Sequence, residues 1–306
     1  MATAGILPVT VIGGYLGAGK TTLVNHLLRH VDGLKLAVLV NDFGDLPIDA
    51  DLIEAEDDRV LTITGGCLCC SFGNDLAGTL TDLKGGPTAV DHILIEASGV
   101  ALPGSIAGSI GLLAGFRLDG VVVLGDAESL QSRANDRFMG DTIKRQLDDA
   151  DLILLNKADL VPSDRFEDTL AWLHHQMPKA RVVTTQRAAA PLEIILGAHL
   201  DDASNRRTGR HDANDHFIAV SFPATSPIDA ERLSACLADP ELGLLRAKGF
   251  VRDLDGSLRA IQVVGQRYET TTAPSDAKPG LVCIGLKTQI KRAVLERHLD
   301  GRGRST

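Results

Sequence analysis

Seven short runs of apolar, largely β-branched residues punctuate the first two thirds of the chain: "VTVIGG", "KLAVLVND", "VLTIT", "HILIEAS", "GVVVLGDA", "DLILLNKAD" and "ARVVTTQ". Most are continuous rather than alternating, as strands buried on both faces should be. Between them lie longer segments with apolar positions at helical spacing, such as "KTTLVNHLLRHV" and "DTIKRQLDDA". Strand–helix alternation over this length predicts an α/β domain: a doubly wound, mostly parallel sheet with right-handed crossovers.

The pattern then changes. "DDASNRRTGRHDANDH", from Asp201 to His216, has almost no large apolar residue and reads as a linker. After it come the strand "FIAVSF", a helix near "DAERLSACL", and the strands "LLRAKGFVRD" and "LRAIQVVGQRYET" joined at "DLDG". The strand "LVCIGL" and the helix "TQIKRAVLERHL" complete a smaller α+β domain. The expected organisation is a first domain over residues 1–203, a linker over 204–215 and a C-terminal domain over 216–306. One uncharged stretch, Val100 to Phe116, falls slightly short of the roughly 20 residues of a spanning helix and carries Pro103. It reads as a loop followed by a buried or interface helix.

Composition narrows the function classes. Aromatic residues make up only 4%, so the core is built from Val, Ile, Leu and Ala, which suits a parallel sheet sandwiched by helices. A net charge of −9 disfavours general attraction to nucleic acid or to an anionic membrane surface, and neither is an expected partner. Five cysteines, three of them clustered, do not resemble a secreted disulfide framework. "MATAGILPVT" lacks the basic start and apolar stretch of a signal peptide, and the expected location is the cytoplasm.

The chemistry begins at "GYLGAGKT", Gly14 to Thr21, which matches G-x-x-x-x-G-K-[ST] between a strand and a helix. Gly14, Gly17, Ala18 and Gly19 turn backbone N–H groups toward phosphates, Lys20 reaches the β- and γ-phosphates, and the Thr21 hydroxyl ligates Mg²⁺. Thr22 extends the same phosphate-binding turn. The fold class is therefore a P-loop NTPase. "HILIEASG" ends a buried strand at Glu96, a carboxylate able to hold Mg²⁺ through water, to orient an attacking water, or to cap the next helix. "LILLNKAD" sets Asn156, Lys157 and Asp159 after another apolar strand. A carboxylate there accepts two hydrogen bonds from the guanine edge and rejects adenine, whose edge presents the opposite pattern. Together the motifs predict a GTPase using GTP and Mg²⁺, with Lys20 and Glu96 as the catalytic residues. None of the motifs contributes an arginine finger, so slow turnover without metal or a partner is expected.

Two further segments complicate a plain GTPase. "VNDFGDLPID" supplies Asp42 and Asp45 where P-loop GTPases carry a γ-phosphate-sensitive loop, and "TGGCLCCS" supplies Cys67, Cys69 and Cys70. Both follow strands that end on the nucleotide side of the sheet. Soft thiolates beside a carboxylate suit Zn²⁺ and related ions. A structural zinc finger would need a second ligand pair, which the sequence lacks; a redox pair and a set of inert buried thiols stay open. Cys236 and Cys283 stand alone in the small domain and read as apolar packing residues.

In order and spacing, "GYLGAGKTTLVNHLL", "NDFGD", "GGCLCCS", "EASGVALP" and "NKAD" resemble the CobW-like GTPases, relatives of the urease and hydrogenase accessory GTPases. The resemblance spans most of residues 7–200, and the tail from "KGFVRD" to "LVCIG" is similar to the family's C-terminal domain. It implies that Cys67, Cys69 and Cys70 bind the metal, that Asp42 and Asp45 belong to the adjoining switch, and that Glu96 sits at the Mg²⁺ end. The family's first switch commonly reads Asn-Glu-Phe-Gly-Glu; here both acidic positions are aspartates, one methylene shorter. Many members also carry a His-rich stretch near the domain boundary, where this chain has only His211 and His216.

The expected function is a metallochaperone GTPase that couples GTP binding and hydrolysis to delivery of Zn²⁺ to a client metalloprotein. Co²⁺ and Ni²⁺ are alternatives, because the ligand set does not choose among them. The rival readings are a metal buffer or sensor in which nucleotide is only structural, and a thiol-redox protein on the same fold. The client is unidentified, and a homodimer stays open.

Overall fold

The computed structural model describes residues 6–31, 33–41, 60–65, 75–86, 89–197, 216–224, 226–274 and 276–299. Asp42, Asp45, Cys67, Cys69, Cys70 and the 204–215 segment lie outside the described residues. The chain divides into two compact units, residues 1–178 with 182–192, and residues 179–181 with 193–306.

The first unit holds the seven runs as strands: β1 (Leu7–Gly14), β2 (Leu36–Asn41), β3 (Val60–Gly65), β4 (His92–Glu96), β5 (Phe116–Asp126), β6 (Leu152–Asn156) and β7 (Arg181–Thr184). Their order in the sheet is β3-β2-β4-β1-β5-β6-β7, and the pairings from β3 across to β6 are parallel. Burial explains the unbroken apolar runs: every residue of β4 and of β6 is buried. Strand order reverses around β1, so the chain after β1 leaves the sheet at its switch point, where doubly wound folds bind ligands.

Register then decides which residues meet there. Ile12 of β1 pairs with Glu96, Gly14 with Leu124, Asp126 with Asn156, and Asn41 with Gly65. Helices α1 (Lys20–His30), α2 (Asp75–Gly85), α3 (Pro103–Gly111), α4 (Leu130–Ala134), α5 (Gly140–Asp148) and α6 (Ser163–Gln176) connect the strands. Helix α1 buries Leu23, Val24, Leu27 and Leu28, a stripe at the spacing of one helical face. The uncharged stretch after Val100 forms α3, only nine residues long. No helix among the described residues is long and apolar enough to cross a membrane.

In the second unit, β8 (Phe217–Phe222), β9 (Leu244–Arg252), β10 (Leu258–Val264), β11 (Arg267–Thr272) and β12 (Gly280–Leu286) form an antiparallel sheet ordered β11-β10-β9-β12-β8. A short helix, α7 (Leu192–Leu196), precedes it in the chain, and α8 (Ala230–Leu237) and α9 (Arg292–Leu299) contribute to its core. The sequence expectation of one strand through "LRAIQVVGQRYET" is corrected here. Gly265, at φ 56°, and Gln266 make a two-residue hairpin turn closed by the Val264–Arg267 pair, so the run is two strands. Cys283 is fully buried in this core, and burial pushes its thiol up to about 12. Burial also raises the half-buried Cys236 thiol, helped by the Asp239 carboxylate. Both are the packing residues expected, with little thiolate at neutral pH.

Candidate functional site

The loop after β1 is held open by glycines that no other residue can replace cheaply. Gly14 lies at φ 128°, and a Cβ there would stand 2.4 Å from the Leu124 carbonyl oxygen. Gly19, at φ 106°, would place a Cβ 2.5 Å from the Asn156 amide nitrogen. Gly17 is also left-handed, but a Cβ on it would meet nothing within 4 Å, so it faces open space. Helix α1 starts at Gly19 with no side-chain cap and no acidic residue in its first turn. The positive end of its dipole therefore favours an anion, and Lys20, itself buried, adds a positive charge at the same place. Ala18 is buried behind the loop, whereas Thr22 is exposed on the first turn of α1.

The Thr21 hydroxyl, on the first turn of α1, donates to Glu96 Oε1 at the end of β4, at 2.8 Å. Glu96 is buried. Two oxygens on adjacent corners of a Mg²⁺ octahedron lie about 3 Å apart, given metal–oxygen distances near 2.1 Å. The two residues expected at the magnesium thus fit the ion in type and in separation. The loop beyond Glu96 is pressed against the phosphate loop: a Cβ on Gly99 would lie 2.9 Å from the Leu16 backbone nitrogen.

Asn156 ties together three segments. Its Nδ2 donates to the Ala18 carbonyl at 2.9 Å, and its Oδ1 accepts from the Ala188 amide at 2.8 Å and the Thr185 hydroxyl at 3.2 Å. Arg187 and Ala188 both adopt left-handed backbone, at φ 51° and 54°, a conformation costing about 1–2 kcal/mol per non-glycine residue. Asn156 therefore holds a strained loop against the phosphate loop. Lys157, also left-handed at φ 62°, extends its amine to Asp126 Oδ2 at 2.9 Å. Asp159 sits in the single 3-10 turn Ala158–Leu160 with its carboxylate exposed and no side-chain partner among the described residues.

Sequence reasoning missed several of these contributors. Asp126 closes β5 just as Asn156 closes β6, and parallel pairing of two runs that both end in a polar residue was the signal for it. Gln146 and Asp149, in and just after α5, carried no local signal. Gln146, fully buried, donates to the carbonyls of Gly99 and Ala101 at 3.1 and 2.8 Å, and Asp149 accepts from the Gly104 amide at 2.8 Å. Together they fix the loop between Glu96 and α3.

The model described as "CobW/HypB/UreG, nucleotide-binding domain" matches residues 8–184, more than half of the chain. The chain belongs to the CobW family. A second model, the cobalamin synthesis protein cobW C-terminal domain, matches residues 217–302. Among CobW-family relatives, the zinc chaperone CobW of a Sinorhizobium species is 30% identical, the match covering 96% of each chain. The zinc-regulated GTPase metalloprotein activator 1 of Dictyostelium discoideum is 31% identical over 80% of this chain and 62% of its own. Of solved structures, the Zn(II)-bound YjiA GTPase of E. coli is 24% identical with a TM-score of 0.49, the match covering 97% of this chain and 99% of that one.

Proposed function

We propose that this CobW-family protein is a Mg²⁺-dependent GTPase that binds a divalent metal, zinc foremost, and hands it to a client protein under control of the nucleotide. The observation that carries the nucleotide half is the phosphate loop with Thr21 and Glu96 in hydrogen-bond contact beside an uncapped helix start. Near-full-length similarity to a zinc chaperone, together with Cys67, Cys69 and Cys70, supports the metal half.

Lys20 and the α1 amides bind the phosphate chain and disperse its charge. Thr21 and Glu96 would hold Mg²⁺, which when bound neutralises charge developing on the β- and γ-phosphate oxygens. Glu96 is buried and anchored by the Thr21 hydroxyl through Oε1. Asp159 accepts from the guanine edge, and its neighbour Lys157 is held by Asp126.

The order of the sheet supports a coupling to metal. Asn41 and Gly65 are a register pair, so Asp42 and Cys67 continue the chain from adjacent strand ends, one and two residues on. Strand β2, which leads to Asp42 and Asp45, pairs directly with β3, which leads to the cysteines, and this pairing supports the reading. Zinc is cargo here, and Co²⁺ or Ni²⁺ could occupy the same ligands. The site of action is the cytoplasm, and the client is a metalloprotein.

Zinc affinity measured with GDP and with a non-hydrolysable GTP analogue tests the coupling. At least a fivefold difference is expected, and equal affinities refute the reading, because a ligand that does not distinguish two states shifts neither. Absence of GTP turnover with zinc and client present would instead leave a metal buffer with structural nucleotide.

A further inference from the structure

Arg133 is a cation at the phosphate loop that none of the motifs contains. It lies on α4, more than 110 residues along the chain from the loop it touches. Its Nη1 donates to the Leu16 carbonyl at 2.9 Å, and its guanidinium carbon stands 5.3 Å from the centre of the Tyr15 ring. Tyr15 is fixed at its far end as well, where its hydroxyl donates to the Met139 sulfur. The guanidinium is therefore held by a carbonyl below and an aromatic face beside it, two contacts that suit an arginine's planar fork.

Its charge is uncompensated within the described residues. No carboxylate lies within ion-pair distance of Arg133 there, although neighbouring cations such as Lys157 have one. One of the five N–H donors of an arginine is used on Leu16. Leu16 stands in the phosphate loop four residues before Lys20, the residue that reaches the β- and γ-phosphates in this motif. A cation that only braced the loop would need no charge. One that meets a γ-phosphate does.

We infer that Arg133 is an arginine finger supplied in cis: it contacts the γ-phosphate, favours GTP over GDP, and stabilises the charge that builds up as the γ-phosphoryl group transfers to water. In that step the bond from the γ-phosphorus to the β–γ bridging oxygen breaks and the water oxygen bonds to phosphorus. The electron pair goes to GDP, and both protons of the water leave with the phosphate. The inference rests on the guanine-nucleotide reading proposed above.

The test uses the full-length chain with Arg133→Ala and Arg133→Lys, Mg²⁺, GDP, a non-hydrolysable GTP analogue, and GDP with aluminium fluoride. For Arg133→Ala we expect GDP affinity to stay within about twofold and single-turnover hydrolysis to fall about 10²-fold or more. Analogue affinity should fall about fivefold or more, and the GDP–aluminium fluoride complex, which mimics the transferring phosphoryl group, should be lost. Arg133→Lys should recover part of the analogue affinity but not the fluoride complex, because a lysine lacks the fork. An unchanged analogue-to-GDP affinity ratio overturns the inference. Equal loss of both nucleotides does so too, by making Arg133 a brace for the loop. If the unaltered protein does not hydrolyse GTP, the proposed GTPase function fails, and the affinity ratio still decides Arg133.

Discussion

Replacing Asn156 with alanine should uncouple the phosphate loop from the loop after β7. The side chain supplies one donor and two acceptances, at 2.9, 2.8 and 3.2 Å, within a site where Ala18, Asn156 and Ala188 are all buried. Removing it strands the Ala18 carbonyl and the Ala188 N–H, each costing about 1–3 kcal/mol when left buried and unsatisfied. The Thr185 hydroxyl can rotate to another partner and contributes less. A loss of about 3–5 kcal/mol from the first unit is expected, with nucleotide affinity reduced alongside it. The chain's one tryptophan, Trp172, lies on α6 in that unit, so its fluorescence during urea unfolding reports the first unit alone. Asn156→Asp should be no better than alanine, because it turns a donor facing Ala18 O into a second acceptor at the same distance. Combined with Thr185→Val, the effect should be non-additive by about 0.5 kcal/mol or more, since the two side chains touch. A loss below about 1 kcal/mol for Asn156→Ala, the cost of an ordinary solvent-compensated hydrogen bond, would refute the claim that this residue braces the strained loop.

Thr21→Ala removes the hydroxyl bound to Glu96, and GTP turnover should fall about 10²-fold with its Mg²⁺ dependence flattened while GDP still binds; a Mg²⁺ titration of hydrolysis in both proteins checks this. Cys283 sets an alkaline limit on the second unit. Its thiol titrates near 12 when folded and close to 9 when unfolded, so the folded state binds one more proton across that window. The stabilisation is complete below pH 9 and declines as pH rises toward 12, by about 1.4 kcal/mol per pH unit. Denaturation at several alkaline pH values should show that slope, and Cys283→Ala should reduce it.

The legible parts of this chain were those written in consecutive residues. Buried parallel strands need unbroken apolar runs, and the phosphate loop needs glycines at fixed offsets before Lys20, so both leave local patterns. The Gly265–Gln266 turn escaped because a two-residue hairpin interrupts an alternating run without adding polar length. Gln146, Asp126 and Arg133 escaped for a different reason. Their contacts join residues 31 to 117 positions apart, and such pairs have no signature until the sheet order brings them together. The five residues expected at the transferred metal, Asp42, Asp45, Cys67, Cys69 and Cys70, lie outside the described residues, and the Asn41–Gly65 register is the nearest structural statement about them.

The central place of β1 gives the sheet two independent flanks. One flank, β4-β2-β3, carries Glu96 and the strand ends that lead to the cysteines; the other, β5-β6-β7, carries Asp126, Asn156 and the braced loop. Under the proposed function, cargo choice and base choice would be written on opposite sides of one strand. On that reading, a lineage that exchanged the segment between β2 and α2 would acquire a new metal without retuning the proposed recognition of guanine. The same cut would let an engineer graft that segment between relatives as a single cassette.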